Sequence, residues 1–299
     1  MANISVQIQS ILYHNDASAL EKAICNVENA VSVYRKHGGE IECEIHYGDA
    51  SKEPIFSEEE ITVLKEKYPE LKDICYNFFQ ENTGTAKGHN KLAGNCQSDY
   101  IMVMNPDVLV TPRFFIEMLK PFKDEKVGLT EARQTPIEHP KEYSIKSLET
   151  SWSTTACVVF PTRIYKEVHG FDEGAFFMYC DDVDFSWRIR LAGYRLIYRP
   201  RAAVYHAKRL SASGAWQPTN AERYYSAEAA LMMAYKWSNE ELLNKLLYDF
   251  KKSKDKIFNK AAQEFMNRKK TDRLPKQLDK QHKIASFIDG GYSKHRFAI

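Results

Sequence analysis

The 299-residue chain has no apolar run that approaches the length of a bilayer span, so no membrane-spanning helix is expected. Met1 to Ser10 lack the basic start of a secretory leader and run straight into a strand pattern, which points to the cytoplasm. The six cysteines stand singly, at Cys25, Cys43, Cys75, Cys96, Cys157 and Cys180. Without a Cys-x-x-Cys pair, neither a zinc site nor a disulfide framework is indicated, and reduced, buried thiols are expected. The first strand ends in Tyr13-His14-Asn15-Asp16 rather than Gly-x-Gly-x-x-Gly, which argues against a nucleotide-dependent dehydrogenase despite the sheet pattern described below. No Gly-Lys-Ser/Thr completes a P-loop, and the chain has neither an internal repeat nor a low-complexity tract.

What is present is an alternation of strand and helix, with 43% apolar residues to fill a sizeable core. Ile4–Leu12 reads as a strand. Leu20, Ile24, Val27, Val31 and Tyr34 then recur at helical spacing until Gly38-Gly39 ends the run. Ile41–Tyr47 is the second strand, an acidic helix follows over Ser57–Tyr68, and Ile74–Phe79 is the third strand. Thr85–Gly94 gives a helix and Tyr100–Met104 a short buried strand; Thr154–Phe160 is a further strand after the pattern loosens at His139-Pro140. This β-α-β-α order predicts an α/β fold, a mostly parallel sheet with helices on both faces.

Three aspartates within four positions, Asp181, Asp182 and Asp184, open a helical segment directly behind the aromatic run Phe176-Phe177-Met178-Tyr179. Capping and the helix dipole account for one or two acids in a first turn. They do not account for three beneath an aromatic wall, where repulsion costs stability unless a cation or a chemical task uses them. Val183, Trp187, Ile189 and Leu191 suit a buried face, Gly193 stops the helix, and Asp184 and Arg188 are spaced for an i, i+4 ion pair. A second acid site, Asn105-Pro106-Asp107, breaks the Tyr100–Met104 strand at its carboxyl end, where open α/β sheets bind ligands.

Taken with Gly48-Asp49-Ala50-Ser51, Glu81-Asn82-Thr83-Gly84-Thr85-Ala86-Lys87-Gly88-His89-Asn90, Gly170-Phe171-Asp172-Glu173 and Tyr205-His206, these motifs resemble the inverting nucleotide-sugar glycosyltransferases of family 2. The resemblance runs from about Ile4 to about His206 and is strongest to the bacterial polysaccharide branch with its rhamnosyltransferases and galactofuranosyltransferases. It implies a GT-A (Rossmann-like) domain over residues 1–215 and a helical, basic carboxyl-terminal region over 216–299. It also implies transfer of a sugar to a glycan or lipid-linked acceptor in surface polysaccharide biosynthesis. The first choice of donor is dTDP-L-rhamnose; UDP-galactose, UDP-glucose and UDP-galactofuranose stay open.

By motif, Asp182 is the general base that takes the acceptor proton, with Asp181 as the alternative. One position apart on a helix, the two side chains diverge by about 100°, so only one faces the reacting carbon. Asp107 matches the last acid of the family's Asp-x-Asp and His206 the histidine that completes its metal site, which implies Mn²⁺ or Mg²⁺. Asn105 stands in place of the first acid and retains only hydrogen bonding. Asp49 matches the acid that accepts from the pyrimidine N3–H, and Glu81, Asn82, Gly84, Lys87, Gly88 and Asn90 fall in the donor-binding loop. Trp152 and Thr154, with Asp181, fall in the acceptor or sugar region. The chemistry needs such a set: a diphosphate leaving group gains negative charge as the glycosidic bond breaks, and hard cations that accept carboxylate and phosphate oxygen stabilise it.

Between Lys251 and Lys283 there are twelve Lys or Arg against four Asp or Glu, an excess of +8 in a chain of net +2, so the remainder sums to −6. Such a stretch is either a solvated helical surface or a peripheral contact for anionic membrane, each basic residue contributing on the order of 1 kcal/mol. No nucleic-acid motif accompanies it, so no nucleic-acid partner is expected. The competing class is a non-catalytic carbohydrate- or nucleotide-binding protein with a decayed site. Such a protein would lose its acids first, whereas Asp49, Asp107, Asp182 and His206 are all present.

Overall fold

The computed structural model describes residues 3–138, 142–206, 217–288 and 291–292. His139-Pro140 and the expected boundary at 215/216 lie outside the described residues. The elements in chain order are β1 (Ile4–Leu12), α1 (Ala17–Lys36), β2 (Ile41–Asp49), α2 (Glu58–Lys67), β3 (Asp73–Phe78), α3 (Gly84–Ala93), β4 (Tyr100–Met104), β5 (Val108–Val110), α4 (Phe114–Leu119), β6 (Val127–Thr135), β7 (Glu149–Thr150), β8 (Cys157–Pro161), α5 (Thr162–Glu167), α6 (Asp181–Leu191), β9 (Arg195–His206), α7 (Asn220–Lys236), α8 (Glu240–Lys252) and α9 (Lys256–Lys270). The helix starts follow local chemistry: Asp16 accepts from Ala19 N–H at α1, and Ser57/Glu60 and Thr219/Glu222 form capping boxes at α2 and α7.

The strands form one sheet in the order β3-β2-β1-β4-β8-β6-β9-β5, with β7 added beside β9. β1, β2, β3 and β4 are mutually parallel, β8 is antiparallel to both β4 and β6, and β6 is parallel to β9. One antiparallel strand between two parallel groups restores the direction, so β1, β2, β3, β4, β6 and β9 all end at the same edge. Asp49 and His206 end β2 and β9 there, and Asn105-Pro106-Asp107 follows the end of β4.

Two apolar layers cover the sheet. Leu20, Ile24, Val27 and Val31 of α1 pack with Phe114 and Phe115 of α4 on one face, and Phe160, Ile164, Phe185 and Ile189 fill the other. A third core lies outside α6, where Val183 and Trp187 meet Met232, Met233 and Trp237 at the end of α7 and Ala261 and Phe265 of α9. α6 is therefore buried on two sides, with Phe185 and Ile189 toward the sheet and Val183 and Trp187 toward the carboxyl-terminal helices. Leu191, expected on a buried face, is 45% exposed; it is the last residue of α6. Fully burying an aromatic or long aliphatic side chain stabilises by roughly 1.5–3 kcal/mol, and the third core spends several of them on joining the carboxyl-terminal helices to α6.

Candidate active site

The register between β5 and β9 builds the first half of the site. Val108 pairs with His206, which sets the preceding Asp107 beside the imidazole. His206 Nε2 lies 3.4 Å from Asp107 Oδ1 and 3.4 Å from Asn105 Nδ2, while Nδ1 lies 2.7 Å from Gln134 Oε1. Gln134 pairs with Val204 in the parallel β6–β9 ladder, on the same strand face as His206. The ring is 5% exposed and held from behind. The Asp107 side chain is 42% exposed. With the amide oxygen of Gln134 taking the Nδ1 proton, the Nε2 lone pair faces Asp107, the usual way a ligating imidazole is oriented.

This pair fits a hard divalent cation of the Mn²⁺ or Mg²⁺ type, one carboxylate oxygen and one imidazole nitrogen being donors that Mn²⁺ accepts together. Among the described residues no group of three or more His, Cys, Asp or Glu is placed to hold a metal. Two protein donors leave the rest of a coordination shell to phosphate and water, as Mg²⁺-like ions generally require.

The second half is the start of α6. Tyr179 and Cys180 both sit at positive φ, 67° and 56°. Two successive non-glycine residues in that region cost on the order of 1–3 kcal/mol each and recur at functional turns. The turn is pinned to α3, where Thr85 N–H donates to Phe177 O at 2.9 Å and Thr85 Oγ1 donates to Asp181 Oδ2 at 2.8 Å. Gly84 allows this approach, since its φ is +65° and a Cβ there would lie 2.2 Å from Phe177 O. Asp181 is 4% exposed, and burial outweighs the Thr85 hydrogen bond to push its carboxyl up to about 6. Asp182 is half-buried and accepts from Val183 N–H at 2.8 Å. Asp184 is fully buried and pairs with Arg188 at 2.8 Å, the i, i+4 bridge read from the sequence. The three acids thus occupy three environments, and Asp182 is the one with access to solvent. Over the same turn, Phe177 stacks on Tyr225 of α7 with ring centroids 4.4 Å apart.

A family model for glycosyl transferase family 2 matches residues 11–184, a span that ends on this acidic helix. The chain belongs to glycosyl transferase family 2. Rhamnosyltransferase WbbL of Escherichia coli (strain K12) is 28% identical over 138 residues, covering 36% of this chain and 52% of that protein. The N-acetylglucosaminyl-diphospho-decaprenol L-rhamnosyltransferase of Mycobacterium tuberculosis (strain CDC 1551 / Oshkosh) is 34% identical over 91 residues, 30% of this chain and 27% of that one. The matched segments span about half the length of the first relative and about a quarter of the second. Two solved structures share the fold. The mannosyltransferase PcManGT from Pyrobaculum calidifontis, determined with GDP-Man and Mn²⁺, superposes with a TM-score of 0.57 at 15% identity over 91% of this chain and 82% of its own. GalNAc-T7, determined with UDP, GalNAc and Mn²⁺, gives 0.63 at 12% identity over 95% of this chain and 57% of its own. At those identities the likeness establishes the GT-A architecture.

Within this family 2 fold, several residues expected at the donor perform structural work. Asn90 donates to Phe171 O at 2.9 Å and Glu173 Oε2 at 2.7 Å and accepts from Phe171 N–H and the Tyr165 hydroxyl, so its amide ties α3 to the 170–173 turn. A Cβ at Gly88 would lie 2.8 Å from Ile11 Cδ1, which makes that glycine a packing contact with β1. Lys87 pairs with Glu81 at 2.8 Å, and Lys91 binds the same carboxylate, holding it down at about 2. Asn82 Oδ1 accepts from Gly84 N–H at 3.3 Å, bracing the entry to α3. Asp49 is fully buried, and its carboxylate accepts from Ser51 and Ile55 N–H, each at 2.9 Å, and from the Tyr76 hydroxyl. It shapes the loop beyond β2 instead of projecting from it. A Cβ at Gly48 beside it would lie 2.5 Å from the Phe79 ring, so a larger residue there would need that ring to move.

Trp152 is 3% exposed and packs in the third core against Tyr292. Thr154 precedes β8 instead of opening it, because Glu131 and Gln134 engage its backbone and hydroxyl. Sequence reasoning missed Gln134 and Glu131 entirely. Their signal was weak: Val127-Gly128-Leu129-Thr130-Glu131-Ala132-Arg133-Gln134-Thr135 lacks the apolar alternation of a half-buried strand, yet Thr130, Glu131 and Gln134 are all buried.

Proposed function

We propose that this chain is an inverting glycosyltransferase that moves one sugar from a nucleotide-diphosphate donor to a glycan or lipid-linked glycan acceptor. The reading is supported by the Asp107–His206 pair at 3.4 Å where β9 ends, and by the helix start carrying the solvent-accessible Asp182, which Thr85 pins through Asp181. Asp107 and His206 would hold Mn²⁺ or Mg²⁺, which when bound supplies positive charge to the diphosphate as it leaves. Asp182 takes the proton of the attacking acceptor hydroxyl. Asp181, enclosed and hydrogen-bonded to Thr85, holds that turn in place and is the weaker choice of base. Asn105, with Nδ2 turned to His206, fixes the imidazole plane.

The two rhamnosyltransferase relatives favour dTDP-L-rhamnose as donor, with UDP-galactose, UDP-glucose and UDP-galactofuranose as the alternatives. One or two hydroxyl contacts separate these sugars. A donor-hydrolysis screen across dTDP- and UDP-sugars, with and without EDTA, tests the whole reading. Turnover of one donor, lost in chelator and restored by Mn²⁺ or Mg²⁺, is expected. Asp107→Ala and His206→Ala should each weaken cation-dependent donor binding. Full turnover in chelator removes the cation from the scheme, and turnover of none with thermal stabilisation by nucleotide alone supports a non-catalytic binding protein.

A peripheral membrane contact on the cytoplasmic side suits a lipid-linked acceptor. It is favoured by the distribution of charge: of the twelve basic residues between Lys251 and Lys283 all but Arg268 are exposed. Among the described residues, no helix is long and apolar enough to cross a membrane.

A further inference from the structure

Behind His206 lies a line of buried polar side chains that the motif reading leaves unexplained. Nδ1 of His206 meets Gln134 Oε1 at 2.7 Å, Gln134 Nε2 meets Thr154 Oγ1 at 2.7 Å, and Thr154 Oγ1 meets Glu131 Oε1 at 3.3 Å. The four residues are 5%, 5%, 8% and 1% exposed. A strand that only had to fill the core would carry apolar side chains here, because a buried carboxylate is costly unless hydrogen-bonded.

The direction of this relay follows from proton counting. Thr154 has one hydroxyl proton and two neighbours that compete for it, Gln134 and Glu131. Glu131 Oε1 already accepts Thr154 N–H at 3.0 Å, so that oxygen carries no proton and can only accept from the hydroxyl. The hydroxyl proton therefore goes to Glu131, and the Thr154 oxygen must accept from the Gln134 amide N–H. That choice turns the Gln134 carbonyl toward His206, which must then carry its proton on Nδ1. The Nε2 lone pair is left facing Asp107 at 3.4 Å.

We propose that Glu131, acting through Thr154 and Gln134, is a positioning residue that sets the His206 tautomer and so makes Nε2 a cation ligand. The proposal rests on the reading of Asp107 and His206 as a cation site, but the tautomer is a property of the protein alone. Whereas glutamine can keep an oxygen there, replacing Glu131 by methionine removes the oxygen that takes the Thr154 hydroxyl proton. The Thr154 hydroxyl then donates to Gln134 after an amide flip, the Gln134 N–H faces Nδ1, and the imidazole proton moves to Nε2, against the cation position.

The test reads the His206 ring in the cation-free full chain by two-bond ¹H–¹⁵N correlation, with His206→Asn identifying its signals among the nine histidines. Mn²⁺ affinity is followed in parallel by the electron paramagnetic resonance of free Mn²⁺. The wild type should show Nδ1–H. Glu131→Met should show Nε2–H and bind Mn²⁺ about 10- to 100-fold more weakly, the usual range for outer partners of a ligating histidine, while Glu131→Gln, which keeps the accepting oxygen, should retain Nδ1–H. The double variant Glu131→Met, Gln134→Glu places a carboxylate directly on Nδ1–H and should restore both. Nε2–H in the wild type, or an unchanged Nδ1–H in Glu131→Met, overturns the proposal even where affinity falls. A tautomer that answers to Glu131 in a protein that binds no Mn²⁺ supports the relay and overturns the cation site.

Discussion

Lys236 Nζ lies 2.7 Å from Asp184 Oδ1, with the two side chains 4% and 0% exposed. The same ammonium reaches Asp172 at 2.6 Å, and Asp184 also receives Arg188 at 2.8 Å and the Trp237 indole N–H at 3.1 Å. Burial alone would raise the Asp172 carboxyl, but the Lys236 charge and hydrogen bond reverse this and hold it below its ordinary value. The last acid of the Asp-Asp-Val-Asp run is therefore structural, and it joins the end of α7 to the helix that carries the candidate base.

Lys236→Met tests that joint. Removing one partner of a buried ion pair leaves uncompensated charge, a change that costs about 3–5 kcal/mol. Asp184 keeps Arg188 and Trp237, so a loss near the lower figure is expected in urea unfolding, with partial recovery when Asp172→Asn is added. A loss below about 1 kcal/mol would mean that the pair contributes little beyond filling space.

For the base, Asp182→Asn should lower sugar transfer on the order of 10²-fold or more while leaving donor affinity nearly intact, because the proton it takes belongs to the acceptor. Transfer rates and nucleotide titrations on the same preparation check this. Retained transfer in Asp182→Asn, with Asp181→Asn inactive, would exchange the two roles.

Asp181 also predicts a pH dependence of stability. Its carboxyl is raised from 3.8 to about 6 in the folded protein, chiefly by burial. The folded state then holds a proton that the unfolded chain releases between about pH 4 and pH 6, so stability falls as pH rises through that window and is level above it. Two units correspond to about 3 kcal/mol. Asp181→Asn, which can still accept from Thr85, should be more stable than the wild type by up to about that amount at pH 7 and equal to it below pH 4. Urea midpoints at several pH values decide; an advantage that does not change with pH would place its cause in packing.

Much of this was legible in the sequence because local periodicity and tertiary burial agree there. The α1 stripe of Leu20, Ile24, Val27 and Val31 and the strand Tyr100–Met104 are examples in which one face or one run must be buried whatever the neighbours do. The Asp184–Arg188 bridge needed only helix geometry. β6 was not legible, since its polar residues are buried for the sake of partners more than fifteen positions away: Thr154 lies 20 from Gln134, and His206 lies 72. The structural roles of Gly88 and Asn90 were hidden for a related reason. A glycine and an asparagine near a ligand edge look the same in sequence as a glycine that admits Ile11 and an asparagine that ties down Phe171. Likewise, the basic composition after Lys251 concealed Ala261 and Phe265, through which α9 enters the core beside Trp187.

That last contact determines how membrane attachment is to be tested. Truncation before Lys251 would remove Ala261 and Phe265 from the third core, and with them Arg268, which donates to Glu228 at 2.8 Å and Gly174 O at 2.9 Å. Loss of activity in such a truncation would report unfolding. Charge removal at exposed positions separates the two effects, and Lys251, Lys254, Lys269 and Lys270 are all exposed. The full chain is expected to co-sediment with phosphatidylserine-containing vesicles at low salt and to detach as the Debye length falls from ~10 Å at 0.1 M to ~3 Å at 1 M. Substituting Gln at all four positions should weaken that binding on the order of 10²-fold or more, at about 1 kcal/mol per basic residue, with donor hydrolysis unchanged. Binding that ignores salt would indicate insertion of an apolar face, and equal binding by the quadruple variant would show that the excess charge is a solvated surface.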